Sequence, residues 1–204
     1  WGNTLYHVVH ALTPKPMPDL TVVPLCGGVA PMWEVTDSAD LVRRMTAIYG
    51  ARAYLLQGPL FLGSDEAYRC FTSNPVIAHT LEKIKEVNLA MVGIGALEDS
   101  VLIKGEVLTP EQVEALRGSG AVGDICARFL GPEGDEVSTD FVGRLLGITL
   151  EQLRQVEHVV AVAGGSRKVA AIRAALLTDA VDVLITDSRT AEAVLSLHES
   201  VAAQ

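Results

Sequence analysis

The chain has 204 residues and a formal net charge of −9, with 49% hydrophobic and 20% charged residues. This balance is typical of a globular protein that buries a sizeable core without disulfides or a structural metal. The acidic excess argues against a chain that wraps nucleic acid by itself, because phosphate binding needs a Lys/Arg-rich face. No uninterrupted apolar stretch approaches the 18 residues of a membrane span, so no membrane contact is expected.

The three cysteines, Cys26, Cys70 and Cys126, form no CxxC or Cys/His cluster. The sequence therefore predicts neither a zinc site nor a disulfide framework, and an odd cysteine count favours the reducing cytoplasm. The five histidines have no ligand spacing, and Cys26 has no histidine beside it in the sequence. We predict no catalytic residue, no metal and no cofactor.

The first half of the chain alternates predicted helices and strands. Apolar residues at a helical spacing predict helices, and short β-branched apolar runs predict strands. The predicted elements are, in order, a helix at 1–12, a strand at 20–26, a helix at 39–49, a strand at 51–57, helices at 66–71 and 75–87, and a strand at 89–95.

The second half contains an excursion from about 99 to 146 and then resumes the alternation. The predicted elements are a helix at 109–117, a strand at 122–130, a short helix from 149, a strand at 158–163, a helix at 166–177, a strand at 181–186 and a helix at 187–197. This order predicts an α/β fold, a mostly parallel sheet flanked by helices, with a small inserted subdomain. Continuous apolar runs predict strands that are buried on both faces.

Glycines follow most of the predicted strands, where ligands bind in open parallel sheets. The glycine-bearing ends are Gly27-Gly28, Gly58, Gly93-Ile94-Gly95 and the segment 164–168, which reads GGSRK. A glycine loop that opens a helix brings backbone amides and the positive end of the helix dipole to one point. With a serine hydroxyl and two cations added, GGSRK predicts a site for a phosphate monoester.

Each candidate also has a purely structural explanation. Gly27-Gly28 could be a tight turn, and Lys168 and Lys104 could be solvated surface residues. Asp124, inside an apolar strand, could accept hydrogen bonds from sugar hydroxyls or from backbone amides. Gly93-Ile94-Gly95 is a GxG without the rest of a dinucleotide fingerprint.

The order of several segments resembles the effector-binding domain of SorC/DeoR-type bacterial transcriptional regulators. The most specific segments are GAVGDICARF at Gly120–Phe129 and AGGSRKVAAIRAAL at Ala163–Leu176. The other segments, in chain order, are PLCGG, ADLVRRM, ARAYLL, NLAMVGIG, LTPEQVEALRGS and DVLITDSRTAEAVL. The resemblance extends from residue 1 to about residue 195.

This resemblance implies a fold similar to that of sugar-phosphate isomerases and CoA-transferases (NagB/RpiA-like). It also implies a phosphorylated sugar effector that changes how an N-terminal helix-turn-helix domain binds operator DNA, in a homodimer or homotetramer. Residues 1–18 would then be the end of a connector helix and a linker, and residues 19–204 the effector-binding domain. The DNA-binding domain would precede Trp1.

The resemblance also implies roles for particular residues. Lys168 would bind the phosphate beside Gly164, Gly165 and Ser166, and Asp124 would hold sugar hydroxyls. Gly27 and Gly28 would supply amides, Gln57 a polar contact and Lys104 a second cation. Val29 and Ala30 stand where some relatives have two threonines. The predicted ligand-binding residues are Gly27, Gly28, Val29, Gln57, Gly95, Lys104, Asp124, Gly164, Gly165, Ser166 and Lys168.

Two other functions stay open at this point. A sugar-phosphate isomerase or deaminase needs a general base, for which Asp124 is the candidate. A nucleotide-binding domain would need a Walker A sequence or a full glycine fingerprint, and the chain has neither. No lysine occurs between Lys15 and Lys83, so a Schiff base like that of one relative is not expected. Apolar side chains that could line an interface or cover a pocket are Met32, Trp33, Phe61, Leu62 and Phe71.

Overall fold

A computed structural model describes residues 1–29 and 37–203. Ala30, Met32 and Trp33 lie outside the described residues. The chain divides into two compact units: a first unit of Trp1–Val87 with Phe141–Ile148, and a second unit of Asn88–Asp140 with Thr149–Gln204. No helix within the described ranges is long and apolar enough to cross a membrane.

Besides a short 3₁₀ helix at Val142–Arg144, the first unit has four α-helices and a two-stranded parallel ladder among its described residues. They are α1 (Asn3–Ala11), β1 (Thr21–Val22), α2 (Ser38–Tyr49), β2 (Arg52–Ala53), α3 (Asp65–Thr72) and α4 (Pro75–Lys85), and β1 pairs with β2. The strands predicted at 20–26 and 51–57 are therefore much shorter than expected. Pro24 lies two residues beyond the end of β1 and has no amide for a ladder, and after it Cys26 and Gly28 form only isolated bridges.

The second unit has a five-stranded sheet in the order β5-β4-β3-β6-β7. Its elements are β3 (Leu89–Ala96), α5 (Val101–Lys104), α6 (Pro110–Gly118), β4 (Gly123–Ile125), β5 (Arg128–Leu130), α7 (Leu150–Arg154), β6 (His158–Val162), α8 (Val169–Leu177), β7 (Val183–Ile185) and α9 (Ser188–Ala202). Strands β3, β6 and β7 are parallel, and β4 and β5 add an antiparallel hairpin. The predicted α/β class, with a central sheet and helices, is confirmed.

The segment predicted as one strand at 122–130 is this hairpin, β4 and β5. Its turn residues Cys126 and Ala127 have φ values of 53° and 60°. Two consecutive left-handed residues form the tight turn whose twist matches a β-hairpin. The Asp124 carboxylate stabilises the turn because its Oδ2 accepts a hydrogen bond from the Ala127 amide at 3.1 Å.

The prediction that the strands are buried on both faces was wrong for β7, the edge strand of this sheet. The side chains of Val183 and Ile185 in β7 are 47% and 53% exposed. In the central strand β3, buried residues alternate with less buried ones. The hairpin, by contrast, is deeply buried, with Ile125, Phe129 and Leu130 fully inside. A continuous apolar run therefore does not by itself predict that both faces of a strand are covered.

Candidate functional site

In the second unit, the predicted phosphate loop lies beyond the carboxyl end of β6. Gly164, Gly165 and Ser166 are exposed, and a 3₁₀ turn at Ser166–Lys168 leads directly into α8. Gly165 has a φ of 106°, a conformation that favours glycine and lets the chain bend from strand to helix. The loop is thus open to a ligand at the edge where the parallel strands end.

Lys168 returns from this turn toward the carboxyl end of β3. Its Nζ donates a hydrogen bond to the carbonyl oxygen of Ile94 at 2.7 Å. The side chain is partly buried, and this burial lowers the pKa of Lys168, while the carboxylates of Asp124 and Asp99 oppose the shift. An ammonium has three donors, so two remain for a bound group.

Asp124 lies at the same edge, directly opposite Gly95 in the β3–β4 ladder. The residue is only 7% exposed, and its burial raises the pKa of Asp124 to about 6, against the opposing effects of the Ala127 amide and Lys168. A Cβ on Gly95 would overlap Asp124 Oδ1, so a glycine here makes room for the carboxylate. The structure therefore brings together Gly95, Asp124 and Lys168.

Lys104 forms an ion pair with Asp99, which also pairs with Arg167 of the loop 164–168. Asp99 was not among the residues predicted from the sequence. Lys104 Nζ lies 2.6 Å from Asp99 Oδ1, and Arg167 NH1 lies 3.2 Å from the same oxygen. These two ion pairs hold the pKa of Asp99 below its usual range. A carboxylate of the protein itself thus binds Lys104 together with Arg167, the residue before Lys168.

A second pair that sequence reasoning missed supports the glycine loop. Asp187 caps α9, where its Oδ1 accepts from the Thr190 amide at 2.9 Å and its Oδ2 accepts from the Thr190 hydroxyl at 2.6 Å. Thr190 Oγ1 in turn accepts a hydrogen bond from the Gly165 amide at 2.8 Å. The Asp-x-x-Thr spacing is an N-cap pattern and could have indicated the pair, though not its contact with Gly165.

The remaining predicted residues belong to the first unit, where both glycine amides already have acceptors. The Gly27 amide donates to the carbonyl of Leu146 at 2.8 Å, and the Gly28 amide donates to that of Gly58 at 2.7 Å. Val29 is buried, and the side chain of Gln57 is exposed. The ligand roles of Gly27, Gly28, Val29 and Gln57 stay predictions. To bind a ligand, the two glycine amides would have to break their present hydrogen bonds to backbone carbonyls.

Two of the apolar residues considered for an interface or a lid, Phe61 and Phe71, have internal contacts in this unit. Phe61 packs edge-on against Phe141, with 5.6 Å between ring centroids, and Phe71 packs against Gly58. Leu62 is partly buried. Their role toward a partner or a ligand stays a prediction. Within 1–29 and 37–203, no cluster of three His, Cys, Asp or Glu residues is placed to hold a metal ion.

The sequence and the fold match a known family. The family profile described as "Putative sugar-binding domain" matches residues 1–196. The deoxyribonucleoside regulator of Bacillus subtilis is 32% identical over 196 residues, which cover 96% of this chain and 63% of that protein. The transcriptional regulator LsrR of Klebsiella pneumoniae is 33% identical over 181 residues, which cover 86% of this chain and 53% of that protein.

Solved structures of transcriptional regulators have the same fold. A DeoR family transcriptional regulator from Listeria monocytogenes superposes with a TM-score of 0.88 and 29% identity, covering 95% of this chain and 76% of that one. A transcriptional regulator from Streptococcus pneumoniae superposes with a TM-score of 0.91 and 25% identity, covering 98% of this chain and 76% of that one. The chain therefore belongs to the sugar-binding domain family of SorC/DeoR-type transcriptional regulators, as the order of its motifs predicts.

Proposed function

We propose that the effector of this regulator domain is a phosphorylated sugar, bound at the strand-end edge of the second unit. The observation that carries the proposal is a partly buried ammonium, Lys168, near a buried carboxylate, Asp124, beside an exposed glycine loop. A phosphosugar has the complementary groups: a dianionic phosphate for the cation and hydroxyls for the carboxylate.

The phosphate would bind Lys168 and the first amides of the turn. The amides of Ser166 and Arg167 open the helical run, so they have no carbonyl of the same helix to bind. The positive end of the α8 dipole adds to the attraction of an anion. Because burial disfavours the charged form of Lys168, a phosphate bound there would offset this cost.

The sugar would be oriented by Asp124. With a pKa of about 6, this carboxyl is largely ionised at neutral pH and can accept two hydrogen bonds from hydroxyls. Its position is fixed by the Ala127 amide, so the acceptor geometry is set before the ligand arrives. An unphosphorylated sugar would keep these hydroxyl contacts and lose the phosphate contacts.

The rest of the proposal concerns the whole regulator. The chain spans about three fifths of the length of the first curated relatives it matches, 63% and 60%. We propose that a separate domain binds operator DNA in the cytoplasm, in a homodimer or homotetramer. The effector would shift the equilibrium between DNA-binding states by its differential affinity for them.

A buried carboxyl with a pKa of about 6 would also suit the general base of a sugar-phosphate isomerase. We propose that the domain is not an enzyme, because the relatives are named as regulators. Incubation with ribose 5-phosphate or glucose 6-phosphate, followed by proton NMR, tests this. Unchanged spectra are expected, and turnover that Asp124→Asn abolishes would contradict the proposal.

The first experiment is a thermal-shift screen of phosphosugars, each paired with its unphosphorylated sugar. A ligand at a thousand times its Kd stabilises the folded state by about 4 kcal/mol, an easily measured shift. The Lys168→Met variant removes the ammonium and keeps a chain of similar length. We expect it to fold and to bind the phosphosugar on the order of 10 to 100 times more weakly, the loss of a charge-assisted hydrogen bond.

The control is Lys85→Met, which removes an exposed lysine paired with Glu82 in the first unit. This variant should bind the phosphosugar like the wild type. An equal response to the sugar and its phosphate would show that the phosphate is not recognised. An unchanged affinity in Lys168→Met would show that Lys168 does not bind it.

A further inference from the structure

Thr190 connects the start of α9 to the exposed glycine loop. The residue is 3% exposed, so its hydroxyl is shielded from water. Its Oγ1 accepts from the Gly165 amide at 2.8 Å and donates to Asp187 Oδ2 at 2.6 Å. One hydroxyl therefore satisfies a loop amide and a carboxylate at once.

The contact fixes the loop at its most adaptable point. Gly165 has a φ of 106°, and glycine has the widest choice of backbone conformations in an unconstrained loop. Its carbonyl accepts from the Lys168 amide at 3.0 Å, which closes the 3₁₀ turn. Thr190 thus binds the amide of Gly165, and the carbonyl of the same residue begins the turn that carries Lys168.

The carboxylate that orients the hydroxyl also packs against the loop. A Cβ on Gly164 would lie 2.8 Å from Asp187 Oδ2, so glycine allows this close approach. Both Asp187 oxygens accept hydrogen bonds from Thr190. Because the Thr190 hydroxyl donates its proton to Asp187, the hydroxyl oxygen can accept the hydrogen bond from the Gly165 amide.

We propose that Thr190 is a positioning residue for the effector: it holds the loop 164–168 in the conformation that binds the phosphate. The inference rests on the proposed function, because it concerns the same site. Thr190 does not touch the phosphate and acts through the Gly165 amide. A loop that is ordered in advance avoids the entropic cost of ordering it on binding.

The chain offers a matched control at the other end of α8. Thr178 is 2% exposed, and its hydroxyl accepts from the Ala180 amide at 3.1 Å and donates to the carbonyl of Ala175 at 2.6 Å. Thr178→Val and Thr190→Val therefore each remove a buried hydroxyl that accepts from one backbone amide and donates to one oxygen. That oxygen is a charged carboxylate for Thr190 and a neutral carbonyl for Thr178, so Thr190→Val should lower the melting temperature at least as much as Thr178→Val.

The test measures ribose 5-phosphate and inorganic phosphate binding by calorimetry, and exchange of the Gly165 amide by ¹⁵N NMR in the absence of ligand. We expect Thr190→Val to bind the phosphate probes about tenfold more weakly, equivalent to about 1.4 kcal/mol, and its Gly165 amide to exchange faster. Thr190→Ser restores the hydroxyl and should recover both properties. Thr178→Val should keep the wild-type affinity within about twofold, the scatter expected for an independent site.

The two proposals fail in different ways. Wild-type affinity in Thr190→Val, with clear binding by the wild type, would overturn the role of Thr190 alone. An equal loss of affinity in Thr178→Val would also overturn the role of Thr190, because the loss would then follow from lower overall stability. If wild-type protein binds neither probe nor any phosphosugar of the screen, the proposed function itself fails, and the positioning role fails with it.

Discussion

The two glycine pairs of this chain look alike in the sequence and differ in the structure. Gly27-Gly28 and Gly164-Gly165 each follow a predicted strand. In the first pair both amides donate to backbone carbonyls, and Gly27 is buried. In the second pair both residues are exposed, and the Gly165 amide donates to a threonine side chain.

The difference shows that a glycine pair after a strand has two separate physical causes. A Cβ on Gly27 would lie 2.7 Å from the carbonyl oxygen of Pro59, so glycine there allows two backbones to pack closely. The second pair bends the chain into a helix beside a cation, and its conformation depends on a positive φ at Gly165. Glycine in the first pair thus allows close backbone packing, whereas the second pair belongs to the loop for which we propose a bound phosphate.

The largest expected effect comes from Gly27→Ala. The new methyl group would meet backbone atoms at 2.7 to 2.9 Å, which cannot rotate away as a side chain could. Overpacking of this kind costs about 3 kcal/mol. We expect this loss in the free energy of unfolding, measured by urea denaturation.

The control for this prediction is Gly143→Ala in the same unit. A Cβ at Gly143 would have no heavy atom within 4 Å, so we expect little change in stability. If Gly27→Ala were as stable as Gly143→Ala but failed to bind the phosphosugar, the first pair would be a ligand site after all. The two glycine pairs would then both bind the ligand.

A smaller effect is expected from the buried carboxyl beside the second pair. Burial raises the pKa of Asp124 from 3.8 to about 6, so the folded protein binds a proton more tightly than the unfolded chain does. Stability from this group is therefore greatest at low pH and is lost as the pH rises through about 6. Between pH 5 and pH 8 the loss amounts to about 1.4 kcal/mol.

The Asp124→Asn variant isolates this contribution because asparagine does not ionise. We expect the difference in unfolding free energy between wild type and variant to change by about 1.4 kcal/mol between pH 5 and pH 8, in favour of the variant at high pH. The same variant should bind the phosphosugar more weakly. A difference that does not vary with pH would show that Asp124 has an ordinary pKa.

The sequence was most informative where the signal is local. Asn74-Pro75 predicts a helix start, and Asn74 Oδ1 indeed accepts from the Val76 amide at 3.0 Å. The sequences TPEQ at 109–112 and TLEQ at 149–152 have the pattern of capping boxes, and both boxes are formed. Each of these caps joins residues two or three positions apart, so one short segment contains all the information.

The site depends on contacts that no local signal contains. Lys168 bonds to Ile94, which is 74 residues away, and Arg167 pairs with Asp99, which is 68 residues away. The GGSRK pattern predicted a phosphate near Lys168, and the family resemblance assigned the contact to this lysine. Asp99 was missed because an acidic residue after a strand has no distinctive pattern. Only the folded sheet brings these residues to one edge.

The smallest expected effect concerns Asp99, which pairs with Arg167 in the loop of the second glycine pair. Asp99 accepts contacts from Lys104 and from Arg167, the residue before Lys168, and thereby competes with an incoming phosphate for both cations. Asp99→Asn removes the competing charge. Because Lys104 and Arg167 are 59% and 81% exposed, solvent screens the pairs, and we expect the phosphosugar affinity to rise only about threefold.

The adjacent residue gives the matched control for this charge effect. Glu98 pairs with Arg117, and both side chains are exposed at 70% and 44%. Glu98→Gln removes the same unit of negative charge one residue away without releasing Lys104 or Arg167. Titration calorimetry at two salt concentrations should show tighter binding for Asp99→Asn alone, with the gain shrinking at high salt. Equal gains in both variants would mean that the phosphate responds to net charge, and that Asp99 does not compete for these cations.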